Sequence, residues 1–190
     1  RPDATWKYWD TGIAPAADWN QPGFDDSTWL SGPAQLGYGD GDETTVVRFV
    51  DADPVANGVQ KNATTLFRTT FTVADPTRFD HFDLEVLYDD AVAVYLNGTE
   101  IHRSANLAAG AGFNDYATAN ASDNFLESRT GLATSLLKPG QNTIAAEVHQ
   151  GGATSSDVSF ALSLTGVPVD TGNPSGQWNQ APPIRLQAGA

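Results

Sequence analysis

The stretch that decides the fold reads Tyr88-Asp-Asp-Ala-Val-Ala-Val-Tyr-Leu-Asn-Gly-Thr-Glu-Ile-His-Arg103. Between residues 92 and 96, aliphatic side chains alternate with Ala and Tyr, which is the period of a β-strand with one buried face. The Asn97-Gly98 pair predicts a two-residue type I′ turn into a second strand, Thr99–Arg103. The acidic pair Asp89-Asp90 precedes the first strand at a bend. The stretch therefore predicts a β-hairpin that is directly preceded by two aspartates.

The same alternation recurs in four other segments, which predict strands at residues 66–73, 82–88, 143–149 and 158–164. Their apolar positions supply one continuous face, which we expect to be the core: Phe67, Thr69, Phe71, Val73, Leu84, Val86, Tyr88, Val92, Val94, Leu96, Ile144, Ala146, Val148, Phe160, Leu162 and Leu164. The opposite face carries small residues with a few charged or aromatic ones. Either the aromatic N-terminal third wraps over that face, or the face is a cleft floor for a ligand.

The length and composition predict one turn-rich β domain followed by a tail. The chain has 190 residues, of which 40% are hydrophobic, 17% charged, 18 Gly and 11 Pro. We expect a β-sandwich over residues 1–167 and a Pro/Gly-rich tail or linker over residues 168–190, which Trp178 could anchor to the sandwich. No apolar run is long enough to cross a bilayer.

The net charge of −13 limits the classes of partner. Such a surface repels phosphate backbones and anionic lipids, so we expect neither a nucleic-acid partner nor a membrane partner. It attracts Ca²⁺, which prefers oxygen ligands. The sequence has no Cys and no Met, which excludes disulfides and thiolate chemistry. Because it has no initiating Met, we expect it to be part of a longer protein. Secretion of that protein is compatible with the lack of Cys, which excludes only the disulfide-dependent classes of exported protein.

Three motifs, in this order along the chain, carry a resemblance to a known family: Phe67-Arg-Thr-Thr-Phe71, Val94-Tyr-Leu-Asn-Gly-Thr-Glu-Ile101 and Leu137-Lys-Pro-Gly-Gln-Asn-Thr-Ile-Ala-Ala-Glu-Val148. They resemble the sugar-binding domain of family 2 glycoside hydrolases and the wider galactose-binding-like jelly-roll superfamily. The segments Gly37-Tyr-Gly-Asp40 and Glu147-Val-His-Gln150 resemble a variant attached to secreted bacterial hydrolases.

The resemblance implies an all-β, antiparallel β-sandwich of jelly-roll type that binds carbohydrate or docks against neighbouring domains. Many such domains hold a structural Ca²⁺. The catalytic carboxylates of family 2 lie in a separate barrel domain, so the resemblance implies no enzymatic activity for this chain. Fold similarity alone does not transfer a ligand.

Candidate metal ligands lie in the loop that follows Tyr38. Asp40, Asp42 and Glu43 alternate with glycines, so several carboxylate oxygens could surround a hard cation such as Ca²⁺. The loop lacks the full twelve-residue EF-hand pattern. The alternative is a solvated acidic loop.

Candidate ligand-binding residues are expected in the loops at one end of the sandwich, where carboxylates, amides and aromatic rings could contact a sugar: Asp89, Asp90, Tyr38, His149, Gln150, Asp157 and Tyr116. The alternative for the Asp pair is structural, because Asp is a good turn former. The long segment 104–128, which contains Tyr116, is a second candidate for a binding rim. Ser155, His149 and Asp157 invite a catalytic-triad interpretation, but no nucleophile elbow is present.

Arg68, Glu85 and Glu147 share the polar face of the strands, so we expect an ion pair among them if their strands are adjacent. Taken together, the sequence predicts a noncatalytic carbohydrate-binding or accessory module of a larger secreted bacterial protein, stabilised by Ca²⁺. The first alternative is a protein-interaction module that never binds sugar. The second is a small hydrolase with an unrecognised site around Asp90 and His149.

Overall fold

The computed structural model describes residues 4–49, 61–123 and 125–170; the predicted tail with Trp178 lies almost entirely outside them. Within these ranges no helix has the length and apolarity to cross a membrane. The described chain forms eleven strands: β1 Thr5–Trp9, β2 Leu30–Pro33, β3 Leu36–Tyr38, β4 Thr45–Val46, β5 Thr64–Val73, β6 Phe79–Asp89, β7 Ala91–Leu96, β8 Thr99–Arg103, β9 Phe125–Ala133, β10 Gly140–His149 and β11 Val158–Pro168. Short 3-10 helices at Pro76–Arg78 and Thr134–Leu136 precede β6 and β10.

The strands form two sheets that pack as a sandwich. Sheet A has the order β2-β1-β5-β10-β7-β8, and sheet B has the order β4-β3-β11-β6-β9. Neighbours pair antiparallel except for β3 and β4, which pair parallel. The predicted fold class, an antiparallel β-sandwich, is confirmed.

The predicted hairpin joins β7 to β8. Asn97 and Gly98 have φ values of 52° and 83°, and positive φ at both central positions is what a type I′ turn requires. The Asn97 side chain also donates to the carbonyl of Leu136 at 2.9 Å and accepts from the backbone N–H of Thr143 at 3.0 Å. The turn is therefore tied to β10 as well as closing its own hairpin.

The predicted apolar face is divided between the two sheets, whose inner sides meet to form one core. Phe67 of sheet A stacks on Phe160 of sheet B with ring centroids 4.2 Å apart, and Trp6 meets Phe160 edge-on at 4.9 Å. All three rings are fully buried. Aromatic contacts of this kind contribute about 0.5–1.5 kcal/mol beyond the apolar area they bury.

Two loops cover the outer face of sheet A. The loop between β1 and β2 places Trp19 edge-on against Tyr95 of β7, with centroids 5.8 Å apart. The loop between β8 and β9 packs Leu107 and Ala117 against Ala91 and Ala93. The small residues on this face are therefore small because loops approach closely, as the wrapping interpretation expects.

The predicted ion pair among Arg68, Glu85 and Glu147 is wrong. Arg68 is buried on sheet A and pairs with Asp26 at 2.6 Å, whereas Glu85 lies on β6 of sheet B and accepts from Ser163 at 3.3 Å. Period-two alternation places a residue on one face of its strand, but it does not say to which of two sheets that strand belongs.

Candidate functional site

The loops at one end of the sandwich bring most of the sequence-predicted residues together. Asp89 pairs with Ser159 across β6 and β11, Tyr38 pairs with Val158 across β3 and β11, and His149 pairs with Ala91 across β10 and β7. Antiparallel neighbours place the end of one strand beside the start of the next. The predicted residues at this end are buried: Tyr38, Asp89, Asp90, His149, Gln150 and Asp157.

Asp90 organises the surrounding loops. Its Oδ1 accepts from the N–H of Ala121 at 3.0 Å, and its Oδ2 accepts from the N–H of Gly151 at 2.6 Å and the hydroxyl of Ser155 at 3.1 Å. Only 2% of the residue is exposed. Because both oxygens accept from loop donors, the structure favours the turn-forming interpretation of Asp90 over direct contact with a ligand.

Asp89 is buried beside Asp157 and Asp90. Burial, followed by a hydrogen bond to Asp157 and the charge of Asp90, raises the pKa of Asp89 to about 9. Two adjacent buried carboxyl groups cannot both ionise without a compensating positive charge. The Asp89 carboxyl is therefore protonated at neutral pH.

Asp157 also belongs to a group of three carboxylates. Its oxygen and those of Asp40 and Asp123 all lie within 4.8 Å of one another. Two oxygens on opposite sides of a Ca²⁺ ion, each at about 2.4 Å, are about 4.8 Å apart. The spacing therefore fits one hard cation. Ser159 supports the arrangement because its hydroxyl donates to Asp40 Oδ2 at 3.0 Å.

The predicted metal ligands Asp40, Asp42 and Glu43 also lie within the same 4.8 Å limit. Glu43, however, accepts from the backbone N–H groups of Asp40 and Gly41, each at 3.0 Å. Its carboxylate thus closes the loop. Partial desolvation of the Asp40 carboxyl raises its pKa, the hydroxyl of Ser159 opposes this, and the neighbouring carboxylates raise it further. A bound cation would relieve the repulsion between Asp40 and these neighbouring carboxylates.

Sequence reasoning missed Asp123, which lies in the long loop between β8 and β9. The loop has no periodicity from which the position of a side chain could be inferred. Its only signal was length, since long loops in compact domains are often functional.

Tyr38 and Gln150 form a buried hydrogen-bonded pair beside this group. Gln150 Nε2 donates to the Tyr38 hydroxyl at 2.7 Å and to the carbonyl of Asp157 at 2.9 Å. The Lys61 ammonium lies 4.6 Å from the centroid of the Tyr38 ring and donates to the carbonyl of Ser156 at 2.6 Å. Burial raises the pKa of Tyr38. These side chains hold the loop before β11 in place.

His149 does not form a catalytic triad with Ser155 and Asp157. Its Nδ1 lies 2.7 Å from the carbonyl of Asp115 and 3.1 Å from the hydroxyl of Thr64. The hydroxyl of Ser155 instead bonds Asp90. Among the described residues, therefore, no serine is placed for activation by this histidine.

Tyr116 is the predicted ligand residue that stays accessible, with 38% of its surface exposed. The next residue, Ala117, donates its N–H to the carbonyl of Gln150 at 2.8 Å. This contact places the partly exposed ring on the loop that lies against the buried acidic end.

No protein-family model matches the sequence, and a search of curated proteins gives no match. Solved structures do match the fold. A β-glycosidase from Bacteroides vulgatus matches with a TM-score of 0.50 and 16% identity, over 86% of this chain and 20% of the enzyme. A glycosyl hydrolase family 2 member from Bacteroides cellulosilyticus matches with a TM-score of 0.50 and 16% identity, over 87% of this chain and 20% of the enzyme.

The chain thus corresponds in fold to a β-sandwich domain that occupies about one fifth of each enzyme. The resemblance inferred from the three sequence motifs is confirmed at the level of fold.

Proposed function

We propose that this chain is a noncatalytic accessory domain of a larger secreted glycosidase, and that it binds carbohydrate. The observation that carries the proposal is the fold match, which spans most of this chain but only a fifth of two glycoside hydrolases. In this proposal, residues 1–167 form a single β-sandwich domain. The Pro/Gly-rich residues 168–190 serve as a linker to a neighbouring domain. Fold similarity supports this function, but it does not identify the sugar.

The arrangement of the polar residues supports a noncatalytic role. His149 is engaged by Asp115 and Thr64, and both oxygens of Asp90 are engaged by loop donors. Both oxygens of Asp90 and the Nδ1 atom of His149 are therefore occupied by structural contacts. The interaction-module alternative predicts no saccharide binding at all.

The first test of the function is saccharide binding by the folded, Ca²⁺-loaded chain. The probes are methyl β-galactoside, methyl β-glucoside and cellobiose by calorimetry, together with a glycan array. We expect binding to at least one neutral saccharide and no turnover of aryl glycosides. Absence of binding across the array, with the chain still folded, would favour the interaction module.

We further propose that the group of Asp40, Asp123 and Asp157 holds a structural Ca²⁺. One supporting feature is the spacing of the three carboxylates. The other is the raised pKa of the neighbouring Asp89, which keeps the Asp89 carboxyl neutral at pH 7. A cation at this position would join three segments that are distant in sequence: the loop after β3, the loop before β9 and the loop before β11. Ligands contributed by separate loops couple metal binding to the stability of the fold.

Calcium is expected to raise the thermal stability of the chain. At about a hundred times its dissociation constant, a ligand specific for the folded state adds about 2.7 kcal/mol to the free energy of unfolding. For a chain of this size that is about 5–10 °C in Tm. Differential scanning fluorimetry with Ca²⁺ and then with EDTA measures the effect. Asp123→Asn should abolish it, whereas Asp80→Asn, at the opposite end of β6, should not.

The size of this calcium effect should depend on pH. Asp89 binds its proton more tightly in the folded state than in the unfolded state, so its contribution to stability is complete below about pH 4 and is lost towards about pH 9. In that window the calcium-free chain loses up to about 1.4 kcal/mol per pH unit. Bound Ca²⁺ compensates the new charge, so we expect a larger rise in Tm at about pH 8 than at about pH 5. A Tm that Ca²⁺ and EDTA leave unchanged at both pH values would contradict the calcium proposal.

A further inference from the structure

His102 and Glu127 connect the two sheets at one side of the sandwich. His102 lies on β8, the edge strand of sheet A, and Glu127 lies on β9, the edge strand of sheet B. The His102 Nε2 atom lies 3.3 Å from Glu127 Oε2, and only 2% of the histidine side chain is exposed. Because β8 pairs with β7 and β9 pairs with β6, side chains rather than a backbone ladder connect these two strands.

The same contact lies at both ends of the long loop between β8 and β9. His102 is the penultimate residue of β8, and Glu127 is the third residue of β9. The loop carries the accessible Tyr116 and the proposed calcium ligand Asp123. The position of the loop ends therefore depends on the contact between His102 and Glu127.

The surroundings of His102 combine burial with charges of both signs. Its Nε2 atom makes no aligned hydrogen bond with any described residue. Glu127 Oε2 accepts from the Tyr88 hydroxyl at 2.7 Å, which holds the carboxylate on this side of the sandwich. On β7, the residue that pairs with His102 is Val94. The ionisable groups that face the ring are Glu127 and Arg129 on β9, Tyr88 on β6 and Glu100 on β8 itself.

Protonation of the His102 ring is unfavourable in the folded chain. Burial lowers the pKa of His102, the carboxylate of Glu127 opposes this change, and the guanidinium of Arg129 adds to it. A buried charge is costly even beside an opposite charge, because both groups lose their water. As the pH falls through about 6.5, the ordinary pKa of histidine, the unfolded chain therefore takes up a proton before the folded chain does. The resulting loss of stability is complete only below the pKa of the folded state.

We propose that the contact between His102 and Glu127 is an acid-sensitive switch that releases the β8–β9 side of the sandwich. Between about pH 6.5 and about pH 5, above the range in which ordinary carboxylates titrate, protonation of His102 favours a state in which the ring reaches water. Strand β9 can separate locally because it pairs with β6 alone and most of its residues are exposed. The switch operates independently of saccharide and Ca²⁺ binding.

The first measurement is an NMR titration of the histidine rings in the unmodified chain, which contains His81, His102 and His149. We expect the midpoint of His102 to lie below about 6.5. Glu127→Gln should lower this midpoint further, because the opposing carboxylate is removed, and Arg129→Gln should raise it. A midpoint at or above about 6.5, or one that neither variant moves, would contradict the proposal.

The second measurement is amide hydrogen exchange between about pH 7 and about pH 5, expressed as protection factors to remove the intrinsic pH dependence of exchange. The protection factors of β9 should fall about threefold or more as His102 titrates, whereas those of the central strand β10 should not. His102→Gln does not titrate, so the fall should disappear. His81→Asn, at a partly exposed position, should retain it.

The unmodified chain decides the outcome if His102→Gln does not fold, because the exchange of β9 and the titration of His102 must then share one midpoint. A fall in protection that follows the titration of His81 or His149 instead would overturn the inference. So would a fall that persists in a folded His102→Gln variant.

Discussion

Replacing Asp90 with alanine is expected to lower the free energy of unfolding by about 3–5 kcal/mol. The substitution removes the acceptor for the N–H groups of Ala121 and Gly151 and for the hydroxyl of Ser155. These donors come from two different loops, and the site they surround is buried. Each buried donor left without a partner costs about 1–3 kcal/mol. Urea denaturation monitored by fluorescence measures the change.

Two further variants separate this effect from a general loss of negative charge. Asp90→Asn keeps the size of the side chain and one acceptor oxygen, so the expected loss is smaller, about 1–3 kcal/mol. Asp80→Ala removes an exposed carboxylate at the other end of β6 and should change stability by less than about 0.5 kcal/mol. Equal losses for Asp90→Ala and Asp80→Ala would show that Asp90 does not organise the loops.

The hairpin and the central strands could be predicted because their signals are local. Asn97 and Gly98 adopt positive φ for reasons contained in their own chemistry. Strands β5, β7, β10 and β11 each bury one face against the core, so their sequences alternate. Burial itself alternates along much of β11, whereas β5, β7 and β10 are buried on both faces.

Strand β9 was missed because nothing buries one of its faces consistently. It lies at the edge of sheet B, and most of its residues are exposed, including Phe125 and Leu126. An edge strand pairs through its backbone on one side only, so its side chains need not alternate. Strands β1 to β4 have at most five residues each, which is too short for a period-two pattern to be distinctive.

The acidic end illustrates what the sequence could supply about a site and what it could not. The importance of Asp89, Asp90 and Asp157 could be inferred from residue type and from their positions beside strands. Their roles could not, because Asp90 is defined by its contacts with Gly151 and Ser155, more than sixty positions away. Asp123 joins this end only through the path of a long loop. Contacts between distant loops depend on the complete fold.

The ion-pair partner of Arg68, Asp26, is also distant in sequence and becomes apparent only in the folded structure. This contact leads to the second prediction. Arg68→Ala is expected to lower the free energy of unfolding by about 3–5 kcal/mol. The guanidinium bonds Asp26 at 2.6 Å, donates to the carbonyls of Trp19 and Gln21, and lies 5.2 Å from the centroid of the Phe24 ring. All four partners belong to the loop between β1 and β2, so one side chain fastens that loop to β5.

The loss of this anchor should have a local signature in addition to its effect on stability. Trp19 packs on both Trp29 and Tyr95, so release of the loop should reduce the near-UV circular dichroism and shift tryptophan emission to longer wavelength. Asp26→Asn retains both carbonyl contacts and removes a partly exposed charge, so we expect about 1–2 kcal/mol. Arg78→Ala, at an exposed arginine beside β6, should change stability by less than about 0.5 kcal/mol. If Arg68→Ala lowers stability but leaves the tryptophan spectra unchanged, the loop is held by its aromatic packing rather than by Arg68.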